Sequence, residues 1–223
     1  MFTSLLRLLA VLVLCAAIAC TATTTATTVG IPDPAVDAPL ASARGEQTAV
    51  VAGGCFWGVE AVFEHVKGVT NVTSGYAGGA GNTASYETVS EGASGHAESV
   101  RITYDPSQIT YGQLLKIFFA VAHDPTQLNR QGPDMGTQYR SAIFYANEEQ
   151  KRIALAYIEQ LNKARAFKYP IVTQVSALDS FYEAEGYHQD YAARHPNDSY
   201  IVINDLPKVA NLRKQFPNVY RER

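Results

Sequence analysis

Cys55 stands in the run Gly53-Gly54-Cys55-Phe56-Trp57-Gly58, where an apolar stretch passes through two glycines into a helix-periodic one. A thiol at a helix start faces unpaired backbone N–H groups and the positive end of the helix dipole. Both favour the thiolate, the nucleophilic form of cysteine. The two aromatics that follow suit a shallow apolar pocket beside the sulfur. A second group, Glu98, falls on the same side of an alternating segment as Val100 and Ile102. If that side is the core, the carboxyl lies in apolar surroundings and its pKa rises. A protonated acid near a reactive sulfur is what reduction of an oxygen-bearing centre needs, because the leaving oxygen must take up a proton. The competing placements for Glu98 are a sheet edge, or an ion pair with Arg101 or Arg140.

Other groups stand out less. Tyr86 follows a Gly-rich loop and Tyr139 opens an apolar run, and phenols at such junctions can donate into a cleft. The chain has 13 tyrosines, however, and composition alone does not separate these two from the rest. His96 and His188 are candidate bases that would make Cys55 an acyl-transfer nucleophile, although no oxyanion motif accompanies them. His96 also fits as the shaper of the turn before Glu98. The remaining cysteines and histidines lack metal-ligand spacing.

These residues need a scaffold, and the periodicity supplies one. Ala49–Gly53 reads as a strand, and Phe56, Val59, Val62, Phe63 and Val66 mark a helix face that ends at Gly68. Further strands are expected over Val69–Ala77, Glu98–Tyr104, Tyr139–Ala146 and Thr173–Ala177. Helices are expected from Thr110 to Ala122, over Glu148–Phe167 behind the Asn147 cap, around Glu185–Arg194 and around Lys208–Phe216. The loop His123–Gly136 is long and polar, as functional loops are. Strands and helices alternate irregularly. This predicts an α+β fold (an α/β sandwich), one domain with a central mixed sheet flanked by helices and Cys55 at the start of the first helix.

The 223 residues carry a formal charge of −3, with 17% charged and 47% hydrophobic residues. That balance is globular and has no polybasic stretch, so no nucleic-acid partner is expected. Residues 1–19, with Arg7 and then an apolar run, read as an export signal. Ala17-Ile18-Ala19-Cys20 resembles a lipobox that would make Cys20 a lipidation site, with Ala17 where leucine is usual. The Thr/Ala/Pro-rich stretch 20–47 reads as a disordered tether, and 48–223 as the folded domain. The protein is therefore expected in the periplasm, membrane-anchored as a lipoprotein, with a soluble exported form as the alternative. A monomer is expected. Beyond Cys20, Cys55 is the only cysteine.

Gly54-Cys55-Phe56-Trp57-Gly58, Gly95-His96-Ala97-Glu98, His123-Asp124-Pro125, Asp134 through Ser141 and Tyr187-His188-Gln189-Asp190-Tyr191 together resemble the peptide-methionine (S)-S-oxide reductases, the MsrA family. The likeness runs from about Thr48 to Arg221 with the segments in order. It implies that Cys55 attacks the sulfur of S-epimer methionine sulfoxide, free or in oxidised proteins, and is left as a sulfenic acid. By the same likeness, Glu98 protonates the sulfoxide oxygen and Tyr86 and Tyr139 donate to it. Asp134 assists through water, and Phe56 and Trp57 wall the methyl group. Two features depart from the pattern. No cysteine follows Cys55, so the resemblance implies rescue by an external thiol, either a thioredoxin- or glutaredoxin-type protein or a small thiol, with no bound cofactor. Pro133 stands where relatives often have asparagine. The alternatives are a single-cysteine thiol peroxidase, a Cys–His hydrolase and a binding lipoprotein without catalysis.

Overall fold

The computed structural model describes residues 30–223. The expected export signal and Cys20 lie outside the described residues. Strand β1 (Gln47–Gly53) leads through a glycine turn into helix α1 (Phe56–Glu64), and β2 (Val69–Ala77) follows. After a short helix α2 (Tyr86–Ser90) and β3 (Ala97–Tyr104) comes α3 (Tyr111–Ile117), which runs on as a π-helical turn, Phe118–Ala122. A two-by-two-residue hairpin, β4 (Arg130–Gln131) and β5 (Asp134–Met135), precedes β6 (Ser141–Tyr145) and the long helix α4 (Glu148–Lys163). The chain closes with β7 (Gln174–Ala177), β8 (Phe181–Glu183), α5 (Tyr191–Arg194), a second π-helical turn at Ile201–Asp205 and α6 (Leu206–Gln215).

Six strands form one sheet in the order β7-β6-β1-β3-β2-β8, with β6 and β7 parallel and the other pairs antiparallel. The expected mixed sheet with flanking helices is therefore what the chain forms. One face carries Val51, Val100, Ile102 and Tyr104 under α1, α3 and α4, the main core. The other face is covered by a smaller cluster of Val50, Ala52, Ala97, Ala142 and Phe144. Strict alternation along β1 and β3 assigns each side chain to its face.

Several local expectations change. Tyr139 belongs to a 3₁₀ turn, Thr137–Tyr139, and the strand opens only at Ser141. The helix expected around Glu185–Arg194 is one turn, Tyr191–Arg194, because Gln189 is used otherwise. Its side-chain amide exchanges two 2.9 Å hydrogen bonds with the backbone of Ser74, as a neighbouring strand would. Strand β8 and helix α2 are additional elements. Pro133 fits its place: Gly132 and Pro133 link β4 to β5, and the positive φ of Gly132 before a proline gives the φ signs of a type II′ hairpin turn.

The tether expected over 20–47 is corrected for its described part, which docks on the domain. Asp37 accepts hydrogen bonds from the Thr110 hydroxyl and, at 2.8 Å, from the Gly112 N–H, so it caps α3. Lys116 pairs with Asp33 at 2.7 Å, and the Tyr157 hydroxyl donates to the Pro32 carbonyl at 2.7 Å. Composition reads this stretch as loose because its few anchoring groups find their partners on distant parts of the chain, α3, α4 and the turn after β3. No helix among the described residues is long and apolar enough to cross a membrane.

Helix α1 carries two buried acids, Glu60 and Glu64. Burial pushes Glu60 up to about 8, and its neighbours Glu64 and Asp190 push the same way. The folded state thus holds a proton that the unfolded chain loses above pH ~4.5, so stability falls as pH rises from there toward 8. Glu60→Gln should leave the melting temperature nearly unchanged at pH 5 and raise it at pH 8, as calorimetry at both pH values would detect. An equal change at both would mean that Glu60 is ionised in the fold.

Candidate active site

The end of β1 delivers Cys55. Gly54 has φ +93°, and a Cβ on it would come within 2.5 Å of the Gln131 side chain, so both the turn and the close approach need glycine. Cys55 is the N-cap residue of α1 and is 8% exposed. Beneath it, His123 packs against Gly53 and is neutral, burial having pulled its pKa down to about 3. Its Nδ1–H donates to the Phe118 carbonyl at 3.1 Å, which leaves Nε2 to accept from the Ser141 hydroxyl at 2.7 Å. His123 is thus a structural brace for the strand end.

Glu98 arrives from the neighbouring strand. The register Val51↔Val100, continued by two residues, brings it level with Gly53 at the start of the helix turn. It is buried with Val100 and Ile102, and its Oε2 accepts the Phe56 N–H at 3.1 Å. Neither arginine claims it: Arg101 faces Glu183 at 3.7 Å, and Arg140 donates to the carbonyls of Gly95, His96 and Thr137. Burial pushes the Glu98 carboxyl up to about 8, the Phe56 N–H pulls against this, and Asp134 adds to the rise. At neutral pH the group is an acid holding its proton.

The thiol does not follow the helix-start expectation. Burial pushes Cys55 well above its ordinary range, and the charges of Glu98 and Asp205 act in the same direction. The Trp57 N–H and Lys208 oppose them and lose. The resting group is therefore a thiol, because desolvation of an anion outweighs the end of one nine-residue helix.

A cavity of about 180 Å³ is lined by Cys55, Phe56, Trp57, Tyr86, Glu98, Asp134, Tyr139 and Tyr200. That group contains Cys55, Glu98, Tyr86, Tyr139, Asp134, Phe56 and Trp57 of the candidates, and neither His96 nor His188. Tyr86 is placed by Glu185, whose carboxylate accepts the Tyr86 N–H at 2.9 Å and the Tyr76 hydroxyl at 2.8 Å. Tyr139 is placed by its turn, in which the Thr137 hydroxyl donates to the Gly92 carbonyl at 2.6 Å and Gln138 donates to the Ser90 carbonyl at 3.1 Å. Burial raises the pKa of both phenols, and nearby Glu98 adds to it, so they stay protonated donors. Trp57 stacks on Tyr191 with centroids 3.7 Å apart and meets Tyr200 edge-on at 6.0 Å. Asp134 accepts the Tyr200 hydroxyl directly.

The two histidines sit elsewhere. His96 accepts the Gly79 N–H at 3.3 Å and donates to the Ala80 carbonyl at 3.0 Å, so it holds the Gly-rich loop. His188 is buried against Phe56, Trp57 and Tyr86, and its ring nitrogens make no hydrogen bond among the described residues. Neither histidine lines the cavity that holds Cys55.

Three residues escaped sequence reasoning: Tyr200, Asp205 and Lys208. Tyr200 immediately precedes the π-helical turn, Asp205 ends it and Lys208 lies in α6, and no local signal distinguishes them. The sequence Asn204-Asp205-Leu206-Pro207-Lys208 reads as an ordinary helix start.

Fold and site together define a thiol-dependent oxidoreductase, with one cysteine, two carboxyl groups and three phenols around a small aromatic-walled cavity. The family model described as peptide methionine sulfoxide reductase matches residues 47–220. Peptide methionine sulfoxide reductase MsrA 2 of Mesorhizobium japonicum is 60% identical over 182 residues, 82% of this chain and 93% of that protein. The MsrA 2 protein of Synechocystis is 56% identical over 83% of this chain and 88% of its own length. Among solved structures, reduced Mxr1 from Saccharomyces cerevisiae aligns with TM-score 0.63 and 33% identity over 72% of this chain and 91% of that one. The chain belongs to the peptide methionine sulfoxide reductase family. It is an oxidoreductase that reduces methionine sulfoxide.

Proposed function

We propose that Cys55 is the nucleophile for S-epimer methionine sulfoxide, free or in oxidised proteins, and that Glu98 is the acid. The observation that carries this reading is the pairing of a buried thiol and a buried protonated carboxyl on one cavity. A sulfoxide is neutral but strongly polar, so a site of neutral donors accepts it without bringing in an unpaired charge. Phe56 and Trp57 take the methyl group, and Tyr86 and Tyr139 donate to the oxygen. As Sγ bonds to the sulfoxide sulfur, the oxygen becomes basic and takes the proton of Glu98, while the thiol proton returns to the carboxylate. Breakdown leaves the thioether and a Cys55 sulfenic acid. In net terms, the oxygen moves from substrate sulfur to enzyme sulfur.

No cysteine follows Cys55, and the segment after α6 is tied to the far end of α1, where the Lys67 N–H donates to the Val219 carbonyl at 2.8 Å and the Arg221 N–H to the His65 carbonyl at 2.8 Å. Recovery of the thiol is therefore assigned to an external dithiol protein of the thioredoxin or glutaredoxin kind, or to a small thiol, acting on a monomer. Without reductant, a single-turnover assay with resolved epimers should yield one methionine per enzyme, from one epimer, and then stall. An intramolecular disulfide, or peroxide outcompeting sulfoxide as oxidant, would sink the scheme. The signal-like residues 1–19 and Cys20 support an exported, lipid-anchored periplasmic enzyme, which mass spectrometry of the mature N-terminus tests.

A further inference from the structure

Against the first turn of α1, and outside the cavity lining, lies an ion pair that the chemistry above does not use. Asp205 is fully buried, and its Oδ1 accepts from Lys208 Nζ at 3.0 Å. The Lys208 side chain is itself only 18% exposed. Gly58, the third residue of α1, makes room for the pair. A Cβ there would overlap Asp205 Oδ1 and come within 2.5 Å of Lys208 Nζ. The pair thus rests on the backbone of the helical turn that begins at Cys55. Burying an ion pair costs desolvation that apolar side chains would avoid, and Asp205 Oδ2 has no hydrogen-bond partner among the described residues. Structure alone gives little reason for such an arrangement.

We propose that the Asp205–Lys208 pair sets the reactivity of Cys55 by opposed charges, with Lys208 the cation that sustains the Cys55 thiolate. This rests on the reading of Cys55 as nucleophile. The other groups facing Cys55 offer no cation: Glu98 comes from β3, Asp134 from β5, and Tyr86, Tyr139, Tyr191 and Tyr200 are neutral phenols. His123 beneath the turn is neutral as well. Among the described residues, Lys208 is the one side chain that pulls the thiol back toward ionisation, and Asp205 opposes it.

The need for a cation is greatest in the second half of the cycle. One external thiolate bonds to the Cys55 sulfenic sulfur, and the hydroxyl leaves as water after taking a proton. A second external thiolate then attacks the external sulfur of the mixed disulfide. That S–S bond breaks with its electron pair on Cys55 Sγ, which becomes the leaving thiolate and leaves faster the better it is stabilised. In a buried site with carboxyls nearby, Lys208 supplies that stabilisation. Asp205 holds the ammonium against Gly58 and moderates it. Both are positioning residues, since neither lines the cavity.

Iodoacetamide labelling of Cys55 in the full chain between pH 7 and 10, read by mass spectrometry of the Cys55 peptide, tests the pair. Lys208→Met should slow labelling about tenfold, the ordinary scale for removing one nearby cation from a buried thiolate. Lys208→Arg should restore it, and Asp205→Asn should speed it. Displacement of Cys55 from a preformed mixed disulfide should change in the same directions. Merely structural roles would shift both variants alike. Labelling slowed by both, or unchanged in both, overturns the proposal. If Lys208→Met does not fold, the sign of the Asp205→Asn change decides alone. Retained turnover in Cys55→Ser would remove the nucleophile reading, whereas these labelling signs test the pair separately.

Discussion

Cys55→Ser should lose at least about 10³-fold in sulfoxide reduction, with the fold and substrate binding kept. The serine hydroxyl is close in size and fits the same N-cap position, so the loss is chemical. It cannot form the bond to the sulfoxide sulfur at a useful rate, and it cannot store the oxygen as a sulfenic acid that thiols reduce. The cavity walls, Phe56, Trp57 and Tyr200, are untouched, so a sulfoxide should still bind and quench the single tryptophan, Trp57, to a similar extent. Epimer-resolved turnover and tryptophan fluorescence measure the two properties separately. Turnover of the S epimer at a rate near that of the unmodified protein would remove Cys55 from the mechanism. Loss of binding together with turnover would mean that the substitution had collapsed the pocket.

The second large effect is expected at Glu98→Gln, about 10²–10³-fold in kcat with KM little changed, since glutamine keeps the shape and can still accept the Phe56 N–H. The pH dependence carries the stronger test. The acid must be protonated to act, and burial holds Glu98 near 8. Activity of the unmodified protein should therefore fall as pH rises through about 8. Glu98→Gln has nothing there to ionise, so its profile should lose that limb, and its small residual rate should rise at lower pH, where protons come from water more readily. Parallel profiles for the two proteins would assign the acid to another group.

How much of this was legible without a structure differs from residue to residue. Strand alternation, a local property, put Glu98 on the side of Val100 and Ile102 but left a sheet edge or an arginine ion pair open; the fold decides for the core by burying it with them. The strand–turn–helix around Cys55 was equally local. Resemblance, rather than spacing, singled out Tyr86, Tyr139 and Asp134, and the cavity brings them together with Cys55. Helix Glu185–Arg194 was overestimated because helical periodicity cannot reveal that Gln189 is engaged by β2. The docked segment around Asp37 was misread for the same kind of reason, since its partners Thr110 and Gly112 lie more than seventy residues away.

The thiol shows the division most clearly. From sequence, Cys55 is a cysteine at a helix start and single in its domain, which makes it the candidate nucleophile and, with no second cysteine there, points to rescue by an outside thiol. Those conclusions follow from residue type, count and short-range order, which folding does not alter. The same local view makes it a thiolate, and there tertiary structure decides otherwise. Desolvation is set by what packs around a group, here α1, β3 and the distant segment carrying Tyr200, Asp205 and Lys208. Residues some 150 positions downstream of Cys55 enter its surroundings only when the chain closes over it. Their contribution to its charge state exists in three dimensions and has no local signature in the sequence.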